Sequence, residues 1–178
     1  MWSAAASEVA ATAEPVSLWE VKEFCRLEIG DSTFDTELAA LIAGQRDDVE
    51  RITGTRLVTQ TVKLTAISFA DLARLPIGPV QSLVALTWRD RAGTANVIDI
   101  ADVELFGGGL EAGLRPAPGK AWPAGALDVT VTLVVGYGNE PAEIPGALQI
   151  LLLRAIRAHF DGQPIELEPQ LTNHRIWL

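Results

Sequence analysis

The residues able to do chemistry lie in a few short stretches. In Leu133-Val-Val-Gly-Tyr-Gly-Asn-Glu-Pro-Ala-Glu-Ile-Pro145, the triplet Gly136-Tyr137-Gly138 has the makings of a phosphate loop, and Val135-Gly-Tyr-Gly138 has the composition of a potassium-selective filter. A phosphate cradle needs its glycine turn to feed a helix N-terminus directly, so that free N–H groups converge on the anion. Here Asn139 to Pro145 intervene, and Glu140 and Glu143 would repel the ligand. The glycines read instead as a strand exit that two prolines steer into a helix. His159 and His174 are the only histidines, and no spacing gathers three or four metal ligands. Asp31, Asp35 and Glu37 lack the glycine and terminal glutamate of a calcium loop and read as charges favouring a helix start. No Gly-x-Ser-x-Gly elbow supports a hydrolase, and Cys25, on an apolar stripe, reads as a core residue rather than a reactive thiol. Trp88 and Trp122 could form a sugar-stacking platform; the competing reading is core and loop anchoring. No catalytic residue, cofactor or metal is expected.

Charge narrows the partners. A net charge of −9, from 14 Lys and Arg against 23 Asp and Glu, has the wrong sign for gripping nucleic acid, which is done by neutralising phosphates. The single cysteine excludes an internal disulfide and a Cys-based zinc cluster and suits a reducing cytoplasm. Glu8 and Glu14 precede any Lys or Arg, contrary to a signal peptide. No run approaches the roughly 20 apolar residues that span a bilayer. No membrane role is expected, and the filter reading falls with it. A chain of 178 residues, 48 % hydrophobic and 21 % charged, fits one folded domain.

The elements that must position these residues follow from periodicity. Residues 1–16 are Ala-rich, without a helical stripe, and read as a flexible arm. Ser17-Leu-Trp-Glu20 has the spacing of a capping box and starts a helix to about Glu28, with Gly30 as its end. A second helix runs from Thr33 or Asp35 to Thr53, with Gly54 after it and an apolar stripe that includes Leu38, Ile42 and Val49. Residues 57–67 alternate as a half-buried strand. Gln81–Trp88 and Ala95–Ile100 form a hairpin about Arg89–Thr94. Gly107–Gly109 and Arg115–Pro123 read as loops, and Leu127–Tyr137 as the clearest strand. Gly146–Phe160 is a helix apolar nearly all round, so a neighbouring subunit is expected to cover what its own chain leaves bare. Arg154 and Arg157, three apart on that helix, are expected to pair with acids of the adjoining chain, with Leu153 and Ile156 as further contacts. The tail from Gln163 is broken by Pro164 and Pro169 and ends in apolar residues.

Several pieces then stand in a telling order: Gln45-Arg-Asp-Asp-Val-Glu-Arg-Ile-Thr-Gly-Thr-Arg56 closing an early helix, Leu75-Pro76 with Pro79-Val80 and Ser82, Ala121-Trp122-Pro123, and Val135-Gly-Tyr-Gly138 before Ile144-Pro145. Over residues 17–161 this order resembles the head–tail connector (adaptor) proteins of tailed bacteriophages and phage-like gene transfer agents. The resemblance implies an α+β fold: a small helical bundle, two N-terminal helices plus one apolar C-terminal helix, with an inserted antiparallel β region at 57–137, all in one connector domain at 17–161. It further implies a structural, non-enzymatic protein of the virion or gene-transfer-agent particle, assembled in the bacterial cytoplasm. That protein forms a homo-oligomeric ring of twelve subunits beneath the portal protein, extends the DNA channel without gripping DNA, and receives a stopper or tail-completion protein. An acidic wall suits a sliding duplex. Residues 162–178 are expected to be a docking tail, with Arg175, Ile176, Trp177 and Leu178 meeting the partner. The alternatives are another head-completion or stopper protein, or a carbohydrate-binding module using Trp88 and Trp122.

Overall fold

The period-two pattern of residues 57–67 and 127–137 resolves into adjacent strands, β2 (Gln60–Ala66) and β7 (Asp128–Val135), in the computed structural model, which describes residues 1–177. With β1 (Ala6–Val9), β3 (Val80–Arg89) and β4 (Ala95–Ile98) they make a five-stranded sheet in the order β1-β2-β7-β3-β4, each neighbouring pair antiparallel. Val129, Val131, Leu133 and Val135 of β7 and Val62 and Leu64 of β2 are buried, while Lys63 is exposed. Alternation in sequence has become alternation between core and surface. The expected β3–β4 turn is present: the Asp90 carboxylate accepts the N–H groups of Ala92 (2.8 Å) and Thr94 (2.9 Å), and Gly93 sits at φ 83°, open to glycine.

There is more strand than the sequence pattern suggested. The stretch expected as a flexible N-terminal arm carries β1, which pairs with β2, and Ser3 N–H donates to the Thr65 carbonyl at 2.8 Å. Its partner lies more than 50 residues away, so no local periodicity announces it. The expected glycine loop joins the strands of a two-stranded sheet, β5 (Val103–Phe106) and β6 (Gly113–Pro116), the second of which takes in the first residues of the expected 115–123 loop. Arg115 there holds Glu104 through Nε at 2.9 Å and Nη2 at 3.0 Å. Leu127, the expected first residue of the 127–137 strand, precedes β7 and is exposed.

The described chain divides into two compact units. The sheet unit comprises Met1–Ala10, Thr59–Gly136 and, at the end of the described residues, Ile176 and Trp177; the helical unit comprises Ala11–Val58 and Tyr137–Arg175. In the helical unit, α1 (Leu18–Cys25), α2 (Asp35–Thr53), α3 (Gly146–Phe160) and the short α4 (Glu168–Leu171) surround one core. Val21, Leu38, Ile42, Val49, Leu148, Leu152, Ile156 and Leu171 are among its buried members, each Leu or Ile stabilising by about 1.5–3 kcal/mol against exposure. The capping box at Ser17 and Glu20 forms as expected: each backbone N–H bonds the other's side chain. α1 nevertheless stops at Cys25, not Glu28. Arg26 takes a left-handed φ of 59°, and its N–H and that of Leu27 close on the last carbonyls. The cause is Lys22. Its buried ammonium donates to the Ile29 carbonyl (3.2 Å) and the Asp31 carbonyl (2.8 Å) and pairs with Asp35, folding residues 26–34 back over the helix.

Glu50 is a second buried charge. Its carboxylate accepts the Leu57 N–H at 2.9 Å and lies 3.6 Å from Arg56 Nε, joining the end of α2 to the chain that follows. Burial raises its pKa above the ordinary 4.5, against the opposing pull of the Leu57 N–H and of Arg56. As pH rises from about 4.5, the unfolded chain releases this proton before the folded chain does. The residue's contribution to stability therefore falls through that interval and is level above the raised value. Glu50→Gln should remove this pH-dependent part. Urea denaturation of both proteins in steps from acid to neutral pH should show the variant gaining on the wild type; a difference that does not change with pH would disprove the assignment.

Candidate assembly surface

The glycine stretch that invites a phosphate is already occupied by an anion of the chain itself. The Glu143 carboxylate turns back to accept the N–H groups of Asn139 (2.8 Å) and Glu140 (3.0 Å), and a Cβ at Gly138 would collide with it. Gly138 is thus needed for space. Gly136, at φ 129°, is needed for conformation, and its N–H bonds the Pro79 carbonyl at 2.9 Å. Among the described residues no group of three or more His, Cys, Asp and Glu could hold a metal ion, and no helix is long and apolar enough to cross a membrane. Cys25 is half-buried, and burial raises its thiol pKa despite the nearby Arg157, which keeps it protonated at neutral pH.

The outer side of α3 carries the features that suit a partner. Leu148, Leu151, Leu152, Ala155 and Ile156 point into the core. Ile156 is completely buried, which removes it from the expected intersubunit contacts, and Leu153 is half-buried against the same core. The core of the chain therefore covers more of the helix than its composition suggested. The remainder is a strip at helical spacing: Ile150, which is 50 % exposed, Arg154, which is exposed, and Arg157, which is partly so. Arg154 and Arg157 do lie together, lining a groove of about 340 Å³ with Phe24, Asp161 and Ile165. Arg157 is held within the chain: Nη1 donates to the Phe24 carbonyl at 3.2 Å, and Nε is 3.4 Å from Asp161. Arg154 has no ion-pair partner among the described residues. Ile150 shares the face of Arg154, one turn away, and the packing of α3 within the helical unit is what leaves it outside.

The described tail residues are divided between the two units. Arg175 belongs to the helical unit and lies 3.8 Å from Glu168, whereas Ile176 and Trp177 belong to the sheet unit. Ile176 is buried, so it is no free docking residue; Trp177 is 57 % exposed. Leu178 lies outside the described residues. Leu167 and Leu171, inside the expected tail, are anchored in the helical core. The two tryptophans proposed for sugar stacking share a cavity of about 300 Å³ with Asp99, Asp102 and Lys120. Phe69, however, stacks on Trp122 at 4.9 Å and 8° and meets Trp88 edge-on at 6.1 Å. One face of Trp122 is thereby covered, the arrangement of an anchor for the 115–123 loop.

No protein-family model and no curated protein matches the chain. Solved structures do. It is similar to a chain in the neck of an empty GTA particle computed with C6 symmetry, at TM-score 0.77 and 18 % identity over 99 % of this chain and 97 % of that one. A chain of the virion of a native gene transfer agent particle gives 0.75 and 18 % over 98 % and 96 %. A chain in the neck of a native GTA particle computed with C12 symmetry gives 0.63 and 21 % over 96 % of each. At these identities the likeness is one of fold, and it extends over nearly the whole length of each chain.

The two arginines of the groove should separate in their effect on folding. Arg157→Ala removes the donor to the Phe24 carbonyl and should cost about 1 kcal/mol. Arg154→Ala should stay within about 0.5 kcal/mol of the wild type. Urea denaturation of the two variants checks this, and equal losses would show that Arg154 supports the fold too.

Proposed function

We propose that this chain is a structural component of the neck, the head–tail junction of a phage-like particle, where it forms a ring beneath the portal, continues the DNA channel and offers the attachment site for the tail. The observation that carries this is the near-complete overlap in fold with neck and virion chains of gene transfer agent particles. The C6 and C12 symmetries of those necks favour a ring of six or twelve copies here, twelve being the number that the connector resemblance implies. A closed ring of identical subunits needs two different patches that fit each other. An excess of acids over bases suits a wall past which DNA slides. The portal protein and a stopper or tail-completion protein are the proposed neighbours, with Arg175, Trp177 and Leu178 as docking candidates. A stopper role in the same particle is the nearest alternative, and portal binding distinguishes the two.

Light scattering of the purified protein, alone and with the portal protein, tests the reading. A ring, or a monomer that becomes a ring on the portal, is the expected result, and Trp177→Ala is expected to weaken tail joining without changing the mass of the ring. A chain that stays monomeric at high concentration with the portal present would sink the proposal.

A further inference from the structure

The helical unit presents two outward strips that complement each other. The first is Ile150, Arg154 and Arg157 on α3. Ten of the fourteen Lys and Arg side chains have an ion-pair partner among the described residues, leaving Arg26, Arg89, Arg91 and Arg154. Arg154 alone of these four stands on a helix face, one turn from an exposed isoleucine.

The second strip is Glu37, Ala40 and Gly44 on α2, all three exposed. Surface positions of a 19-residue helix are normally filled by long polar side chains, which favour the helix and cover its backbone. Gly44 does neither, and mid-helix glycine is destabilising. Nothing within the chain requires it: a Cβ built there meets no atom within 4 Å, and its φ is not left-handed. A small residue that the chain itself does not need leaves room for something outside it. Glu37, for its part, is an exposed acid with no ion-pair partner among the described residues.

The spacings are compatible. Ile150 and Arg154 stand four residues apart on α3, and Ala40 and Gly44 lie three and seven residues beyond Glu37 on α2, to either side of that distance. Each strip is about 10 Å long at helical rise. Laid antiparallel with Arg154 against Glu37, Ile150 falls four residues along the neighbour's helix, between Ala40 and Gly44. We infer that the occupant of the α3 strip is a second copy of this chain: Ile150 seats on the Ala40–Gly44 face of the neighbour's α2, and Arg154 pairs with its Glu37. The argument for a copy, rather than another protein, is that both halves, with opposite charge and compatible spacing, lie on the same chain. Two different patches joined head-to-tail give a ring or an open chain of copies. The inference rests on the ring reading above and names the surface that would close it.

The full-length chain tests it by sedimentation or light scattering at fixed concentration, with the portal protein added if the wild type needs it. Arg154→Glu and Glu37→Arg should each weaken self-association about tenfold or more, and the double variant should recover it. Gly44→Gln should block assembly while the melting temperature holds or rises, a combination that a merely structural role for Gly44 would not give. Rings that persist in both Arg154→Glu and Gly44→Gln would overturn this interface and leave the ring reading standing. A wild type that is monomeric alone and with the portal would overturn the ring and the interface together.

Discussion

The sheet unit depends on the insertion of β7 between β2 and β3. Those two strands precede it by some 40 to 70 residues, and neither can complete its backbone hydrogen bonding without it. The strand that arrives last is thus the central one, buried on its inner face at Val129, Val131, Leu133 and Val135. Its pairing with β3 slips twice, between Val80 and Ser82 and between Leu83 and Ala85, whereas its register with β2 is unbroken from Gln60 to Ala66. Such irregularities twist a strand locally. β3 therefore takes up the distortion, and β7 remains regular up to the point where Gly136 bends the chain away.

Elements whose signals are local were legible in the sequence. Ser17 with Glu20, Thr53 with Gly54, Asp90 with Gly93, and the alternation of β2 and β7 each place cause and effect within a few residues, and the structure keeps all of them. What was not legible depends on partners remote in sequence. β1 is recognisable only once β2 exists to receive it. The early end of α1 depends on a buried lysine choosing carbonyls seven and nine residues ahead, and nothing in the pattern Leu18-Trp-Glu-Val-Lys-Glu-Phe-Cys25 marks Lys22 as buried. The β5–β6 pair is hidden by the glycines and prolines that flank it, residues that ordinarily signal loops.

The candidate surface was legible in part for the same reason. Arg154 and Arg157 stand out as charges on an apolar helix, and the structure places both on one groove. Which apolar residues of that helix face outward could not be read from composition, because a helix hydrophobic all round gives no phase to its stripe. Only the packing of α3 against α1 and α2 sets that phase, burying Ile156 and leaving Ile150 out. The tail shows the converse. Its prolines correctly exclude a long helix, but Leu167 and Leu171 still find the core, so a broken sequence is not an undocked one.

The placement of charge adds a last step. An acidic protein could reach −9 with its cations scattered and free; here most cations are bound to acids of the same chain. Lys22 and Arg56 are spent on buried or partly buried carboxylates, and Arg115 and Lys120 on exposed ones. Each pair neutralises a cation that would otherwise meet a phosphate, so the surplus acids set the field at the surface. Such a surface disfavours DNA, and in the proposed ring the contact with neighbours would fall to short-range features, among them an isoleucine, a glycine and an uncommitted arginine on outward helix faces. In the proposed ring, that division would let a subunit hold its neighbours while the duplex passes without being gripped.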